Sequence, residues 1–405
     1  MKKSPAVLLV LLLLTPLFTI AQPDGKTVQD ILSYFQKNDQ IADSLRDHNA
    51  YADIIDIYNG ELDYLTSRSE TLGQYVSPLK VHLFYNLACI YSLQNNKDKA
   101  IQALDSVAAH GFSGFLNMAT DSDFDNIRQE PGYKRICEAW KDKFDYMHVL
   151  RKCGPYRQNA KTDTLGTFTY RQPSDSALTH AREYFNLDSI AGDGDDISRI
   201  KNLMYWVHNN IPHDGNNGTA PGPRSLYNTY TSARNNNCGY NCRALAISLT
   251  EALLAEGIPS RYLTCLPKAW DTDMDCHVIC VAWSTSLNKW IWVDPSFAAY
   301  VTDENGLLLH PGEVRYRLQN DLPLTLNEDA NWNNKNQQTK EHYLDTYMAK
   351  NLYIIQANTV NQSNPENNSK NKQAIFATLI PEGANAPYSA ITTSDDAWFW
   401  QSPAN

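Results

Sequence analysis

Runs of basic residues are absent from this sequence. Lys and Arg together number 35 against 45 Asp and Glu, for a net charge of -10. No cluster of cations offers the footprint that a nucleic acid or an anionic membrane surface needs. Long apolar runs are also absent beyond Ile20, where nothing approaches the roughly 18 residues of a spanning helix. Cysteine is sparse: Cys89, Cys137, Cys153, Cys238, Cys242, Cys265, Cys276 and Cys280 make 8 in 405 residues, too few for a disulfide-stapled scaffold. What is present is a hydrophobic content of 42%, enough for real cores and for two domains or one large one.

The start of the chain reads as an address. Lys2 and Lys3 precede an unbroken apolar run from Ala6 to Leu14 that continues past Thr15-Pro16 to Ile20, and Ala21 closes a Thr-Ile-Ala end suited to signal peptidase. Residues 1–21 are therefore expected to be a signal peptide. No cysteine follows to take a lipid, so the expectation is a secreted or periplasmic protein with no membrane insertion after signal removal.

From residue 22 to about 150 the pattern is helical. Within FYNLACIYSLQNNKDKAIQALDSVAAHGF, the residues Phe84, Leu87, Ala88, Tyr91, Ala100, Leu104 and Val107 are spaced so that two antiparallel helices interlock, small against large. This stretch resembles one tetratricopeptide repeat, with Val107 where a small alanine is common and Phe112 where a proline is usual. Such a helical-hairpin array holds a partner or docks on a neighbouring domain. The polar stretch KCGPYRQNAKTDT marks a boundary near residue 151.

After it come a short strand in GTFTYR and a helix over DDISRIKNLMYWVHNNI, capped by Asp195 or Asp196, with Ile200, Leu203, Met204 and Val207 on its buried stripe. Boundaries of 151–310 for a second domain follow, with 311–405 as an extension carrying a helix over EHYLDTYMAKNL and strands near YIIQA and AIFATL. The intervening NQSNPENNSKNK reads as a solvated loop tip.

The chemistry lies in NNNCGYNCRALAISLTEALLAEGIPSR. Leu245, Leu249, Ala252 and Leu253 recur at helical spacing, Gly257-Ile258-Pro259 stops the helix, and Asn241 is a good N-cap. Cys242 is then the first helical residue, at the electropositive end of the dipole, where a thiol pKa of about 8.5 falls into the ~3.5–7.5 range. Cys238 lies outside the helix and gains nothing from it. Downstream, CHVICVAWSTSLNKWIWVDPSF alternates as two strands, with His277, Ile279, Val281 and Trp283 sharing a face and then Trp290, Trp292 and Asp294. A hairpin loop over Ser284 to Leu287 pairs Trp283 with Asn288 and sets His277 opposite Asp294. Cysteine, base and orienting acid then form an activated nucleophile.

The order Cys242, His277, Asp294, the helix leading into GIPSR, and the HV and WVDPSF segments resemble the transglutaminase-like superfamily over roughly residues 196–300. In that family the nucleophile stands fifteen residues before the glycine of the GIP motif, which selects Cys242. The resemblance implies a papain-like α+β core preceded by the all-α region, acyl transfer from an amide through a thioester, a peptide or protein substrate, and no cofactor. It also implies a helix bearing the cysteine packed on an antiparallel sheet. One departure is Tyr240, where the family commonly has glycine two residues before the nucleophile. The oxyanion donors expected are the Cys242 backbone N–H with Asn236, Asn237 or Tyr240.

Other clusters carry less. Cys276 and Cys280 read as sharing the face opposite His277, with Cys265 beside them, and their spacing fits small core residues better than a zinc site. Asp271, Asp273 and Asp275 start like a calcium loop, but Cys276 stands where glycine is required and Ala282 where glutamate is required, so no metal is expected. Asp121 to Asp125 serve a helix start, and His208 and His213, lacking ligand spacing, read as surface residues. Two functions stay in view. One is a thiol hydrolase of peptide or amide bonds; the other is a non-catalytic polypeptide- or cell-wall-binding protein on the same core.

Overall fold

A computed structural model describes residues 25–67, 69–72, 76–110, 115–156, 166–366, 375–385, 387, 389 and 391–403. Residues 1–21, where a signal peptide is expected, lie outside them. The chain divides into two compact units, Met1–Asp145 and Tyr146–Asn405.

The first unit is helical. Its main helices are α1 (Gly25–Asp47), α2 (Tyr51–Ser67), α3 (Val76–Leu93), α4 (Lys97–Ala109) and α5 (Pro131–Phe144). Helices α3 and α4 form a hairpin: Asn95 takes a left-handed φ of 59° in the turn, and Asn96 caps α4 through Lys99 N–H, as short polar side chains do at such positions. Ala88, Ala100, Leu104 and Val107 are fully buried at its seam, so the small-against-large spacing is realised as helix packing. The acidic Asp121–Asp125 stretch is a single 3-10 turn, with Asp121 accepting from Asp123 N–H at 3.0 Å.

The second unit is α+β around a six-stranded sheet. Its strands are β1 (Ser260–Leu266), β2 (His277–Ser284), β3 (Lys289–Val293), β4 (Ile354–Asn358), β5 (Phe376–Leu379) and β6 (Ile391–Thr393), in spatial order β6-β5-β4-β1-β2-β3. All neighbours are antiparallel except β5 and β6. Helices α6 (Ser176–Phe185), α7 (Asp196–Asn210), α8 (Leu226–Asn236) and α9 (Cys242–Ala255) share one core with Val278, Cys280, Ala282, Ile291 and Val293. The opposite face, with Ile279, Val281, Trp290 and Trp292, packs on helix α10 (Pro311–Gln319), on Tyr343, Leu344 and Met348, and on Phe399. Coverage of both faces explains why β1 and β2 are buried at nearly every residue.

Three expectations change here. The hairpin register differs: Trp283 pairs with Trp290 and Ser284 with Lys289, leaving residues 285–288 as the loop, with Asn288 in the left-handed region that closes it. A slip of two residues preserves the side-chain faces, so His277 and Asp294 remain on one face as diagonal neighbours. Cys265 pairs directly with His277 and so shares its face, not that of Cys280. The stretch after Asn361 is not a free loop tip where it is described, because Asn361 and Pro365 are buried and the Glu366 carboxylate meets Arg224, Arg243 Nη1 and the Tyr262 hydroxyl. Among the described residues no helix is long and apolar enough to cross a membrane.

Candidate active site

Helix α9 begins where the sequence demands it. Asn241 is extended (φ -69°, ψ 169°) and its Oδ1 accepts from Ala244 N–H at 3.1 Å, which places Cys242 at the first helical position and lets the dipole's positive end favour a thiolate. The peptide leading into it is zipped to an earlier segment. Tyr240 N–H donates to Pro212 O at 2.9 Å and Asp214 N–H to Tyr240 O at 2.8 Å, a parallel bridge between His213 and Tyr240. Gly239 makes that approach feasible, because a Cβ there would meet Pro212 O at 2.6 Å.

His277 is the first residue of β2, so its ring reaches the end of the sheet near the start of α9 although alternation turns it away from the helical layer. It is buried, and its Nε2 lies 2.7 Å from Asp294 Oδ2. Nδ1 has no hydrogen-bond partner and is the ring nitrogen left free on the side of Cys242, whose sulfur interacts electrostatically with the imidazole. Asp294 is fully buried and further held by Tyr343 O–H at 2.6 Å and Ser296 N–H at 2.8 Å. Phe297 and Tyr347 pack on the His277 ring, with centroids at 5.4 and 5.1 Å.

The electrostatics follow from these contacts. Burial alone would push the Cys242 thiol up, but the adjacent His213 ring and the His277 imidazolium outweigh it, bringing the thiol down to about 6. Burial disfavours the His277 imidazolium, yet the Asp294 charge and hydrogen bond, with help from Cys242, raise it to about 10. Asp294 is held below the ordinary carboxylate range: burial opposes, while His277, Tyr343 and Ser296 N–H prevail. These directions favour a thiolate beside an imidazolium steadied by a carboxylate, the form in which sulfur is nucleophilic.

The remaining residues of interest are placed as follows. Asn236 is exposed and its amide turns back to Ser232 O and Oγ at 2.9 and 3.1 Å. Asn237 is the left-handed C-cap of α8. The Tyr240 hydroxyl lies 2.7 Å from Ser232 Oγ, so both its hydroxyl and its N–H are engaged away from the sulfur. All eight cysteines are free thiols. Lys350 Nζ bridges Asp273 Oδ2 at 3.1 Å and Asp275 Oδ2 at 2.7 Å, so an ammonium occupies the place a cation would take. A Cys89, Asp121 and Asp123 group has ligand atoms close enough for a metal, but Asp123 is paired with Arg46 and Asp121 accepts from Tyr85.

Sequence reasoning missed two histidines and a tyrosine. His208 is buried, with Nδ1 3.0 Å from Pro295 O and Nε2 3.1 Å from Asn331 Oδ1, so it braces the segment after Asp294 instead of lying at the surface. His213 stands beside Cys242. Its signal was weak: a lone histidine in a loop rich in Asn, Gly and Pro, whose value depends on the bridge to Tyr240. Tyr343 comes from a π-helical turn, Tyr343–Met348, a feature that often marks functional sites.

Residues 184–295 match the transglutaminase-like superfamily. This domain is transglutaminase-like. The matched stretch spans Cys242 and His277 and ends one residue past Asp294, so the family resemblance and the geometry meet on the same segment. The transglutaminase-like stretch lies within the second unit, whose papain-like α+β arrangement packs the cysteine-bearing helix on an antiparallel sheet. A solved candidate cysteine protease from Cytophaga hutchinsonii is similar at 17% identity, over 38% of this chain and 48% of that one, with a TM-score of 0.24. The chain therefore spans under half of that protein, and so slight a likeness carries no argument. No curated protein matches.

Proposed function

We propose that the transglutaminase-like domain is a cysteine hydrolase of peptide or amide bonds. In this reading the Cys242 thiolate attacks the carbonyl carbon and the C=O pair moves onto oxygen. His277 gives its Nδ1 proton to the departing amine, leaving a thioester on Cys242. Neutral His277 then takes a proton from water as that water attacks, and thiolate and acid are released. Asp294 keeps the ring oriented and its charge balanced throughout.

The observation that carries this reading is the buried His277–Asp294 pair at 2.7 Å, with the other ring nitrogen left to a sulfur at a helix N-terminus. Hydrolysis is preferred to cross-linking because water is the abundant acceptor outside the cell, where the signal-like residues 1–21 would direct the protein. The helical unit would serve substrate recognition, in keeping with its hairpin. Iodoacetamide at neutral pH is expected to label Cys242 ahead of the other cysteines, and wild type to release peptides from a proteome that Cys242→Ser does not. Labelling indifferent to position, together with identical peptide profiles for the two proteins, would replace the enzyme by a binding protein.

A further inference from the structure

A second imidazole flanks the sulfur, and its surroundings differ from those of His277 in the one respect that fixes its role. His277 faces a carboxylate, which accepts. His213 faces the indole of Trp332, whose Nε1–H donates to His213 Nδ1 at 2.8 Å. An indole nitrogen is a donor only, so Nδ1 presents its lone pair and the ring proton of His213 sits on Nε2. Protonating Nδ1 would set one N–H against another. The ring is therefore a neutral donor that cannot exchange a proton through Nδ1 without breaking the indole contact.

The backbone holds it in place. His213 N–H donates to Asn333 Oδ1 at 2.7 Å and Asn333 Nδ2 to His213 O at 2.8 Å, while the bridge to Tyr240 locks the residue two positions before the nucleophile. Asn331 N–H donates to Phe297 O at 2.8 Å, which ties the Trp332 hairpin to the segment carrying Asp294. Phe297 lies between the two imidazoles, with centroids 6.2 Å from His213 and 5.4 Å from His277. Both rings thus flank Cys242, His213 through the bridge to the peptide before the nucleophile and His277 through its contact with Asp294.

We propose that His213 Nε2–H is an oxyanion donor of this site, acting with the Cys242 backbone N–H, and that Trp332 is the positioning residue that enforces its tautomer. In the resting state the donor faces the thiolate. As sulfur bonds to the carbonyl carbon, the C=O π pair moves onto oxygen, so the negative charge passes from sulfur to the oxygen on that carbon and the same N–H follows the charge; no proton is transferred at His213. The first helical N–H groups of α9 lack an intrahelical acceptor, so Cys242 supplies a second donor at the same point. A donor whose partner becomes more strongly charged at the transition state contributes to rate more than to binding. This inference rests on the thiol-enzyme reading and assigns to His213 the side-chain donor role for which Asn236, Asn237 and Tyr240 were the candidates in the sequence.

The test compares two reactions of Cys242 in the full chain. Acylation by p-nitrophenyl acetate, read as the nitrophenolate burst, passes through an oxyanion; alkylation by iodoacetamide does not. Both are measured across pH and compared at their plateau rates, which removes any change in thiolate fraction. For His213→Ala the acylation plateau is expected to fall about 10²–10³-fold, with the alkylation plateau within roughly threefold of wild type, which also reports an intact fold. His213→Gln, with an amide N–H in place of Nε2–H, is expected to recover acylation to within about tenfold, and Trp332→Phe to show an intermediate loss. Parallel losses in both reactions, or full acylation in His213→Ala, would overturn the role of His213. A wild type whose burst survives Cys242→Ala would instead overturn the enzyme reading.

Discussion

At the scale of single residues, the proposed mechanism depends on three side chains whose charges are coupled. Between about 6 and about 10 the Cys242 and His277 pair is thiolate and imidazolium, and these values belong to the coupled pair. The expected profile of kcat/KM is a bell that rises through about 6 and falls through about 10, measured on any substrate the released-peptide profile identifies. Stability follows with definite signs. His277, raised above its ordinary value, contributes fully below the unfolded value and loses that contribution as pH rises through about 10; Cys242, depressed, contributes above its unfolded value and loses it as pH falls through about 6. Asp294, also lowered, loses its contribution only in acid. Tyr343→Phe removes one of the donors to that carboxylate. It is expected to cost on the order of 1.5–3 kcal/mol, as hydrogen bonds to charged groups do, seen as a lower urea midpoint, and to move the alkaline limb of the bell little.

At the scale of elements, what matters is how a loop, a helix start and a hairpin are brought to one point. The Gly239–Tyr240 peptide lies against Pro212, with no room for a Cβ at Gly239. Gly239→Ala is therefore expected to open the bridge to His213, lower the melting temperature, and slow Cys242 alkylation at neutral pH. Unchanged labelling would show that the bridge does not position the nucleophile. The N-cap of α9 and the alternation of β2 and β3 were both legible in the sequence, because capping and strand periodicity are local. The register was not. A four-residue loop fits either side of Ser284, and only the packed sheet selects Ser284 with Lys289. The predicted neighbours survive this because a slip of two residues keeps their faces.

At the scale of the whole molecule, the second unit is completed by distant chain. Strand β4 lies between β1 and β5 in the sheet, Tyr343 supports Asp294, and Arg261 is buried with Phe168, Trp290 and Phe399 around its guanidinium, donating to Phe399 O at 2.8 Å. A chain truncated after residue 310 keeps Cys242, His277 and Asp294 but loses β4, the cover over one face of the sheet, and the Arg261 acceptor. It is expected to be insoluble or to lack near-UV circular dichroism, whereas a soluble, alkylation-competent truncation would show the extension to be dispensable. The short match to the transglutaminase-like superfamily thus covers the candidate site rather than the folding unit.

The sequence by itself determined the cysteine at a capped helix start and the histidine and aspartate on one strand face, since each depends on spacings of a few residues, and the family resemblance that those motifs carry implied the α+β class. Tertiary structure alone decided that His213, Trp332 and Tyr343 belong to the site. Their roles come from contacts across long separations, 119 residues for the His213–Trp332 pair and 49 for Tyr343–Asp294, and no local periodicity encodes a partner that far away.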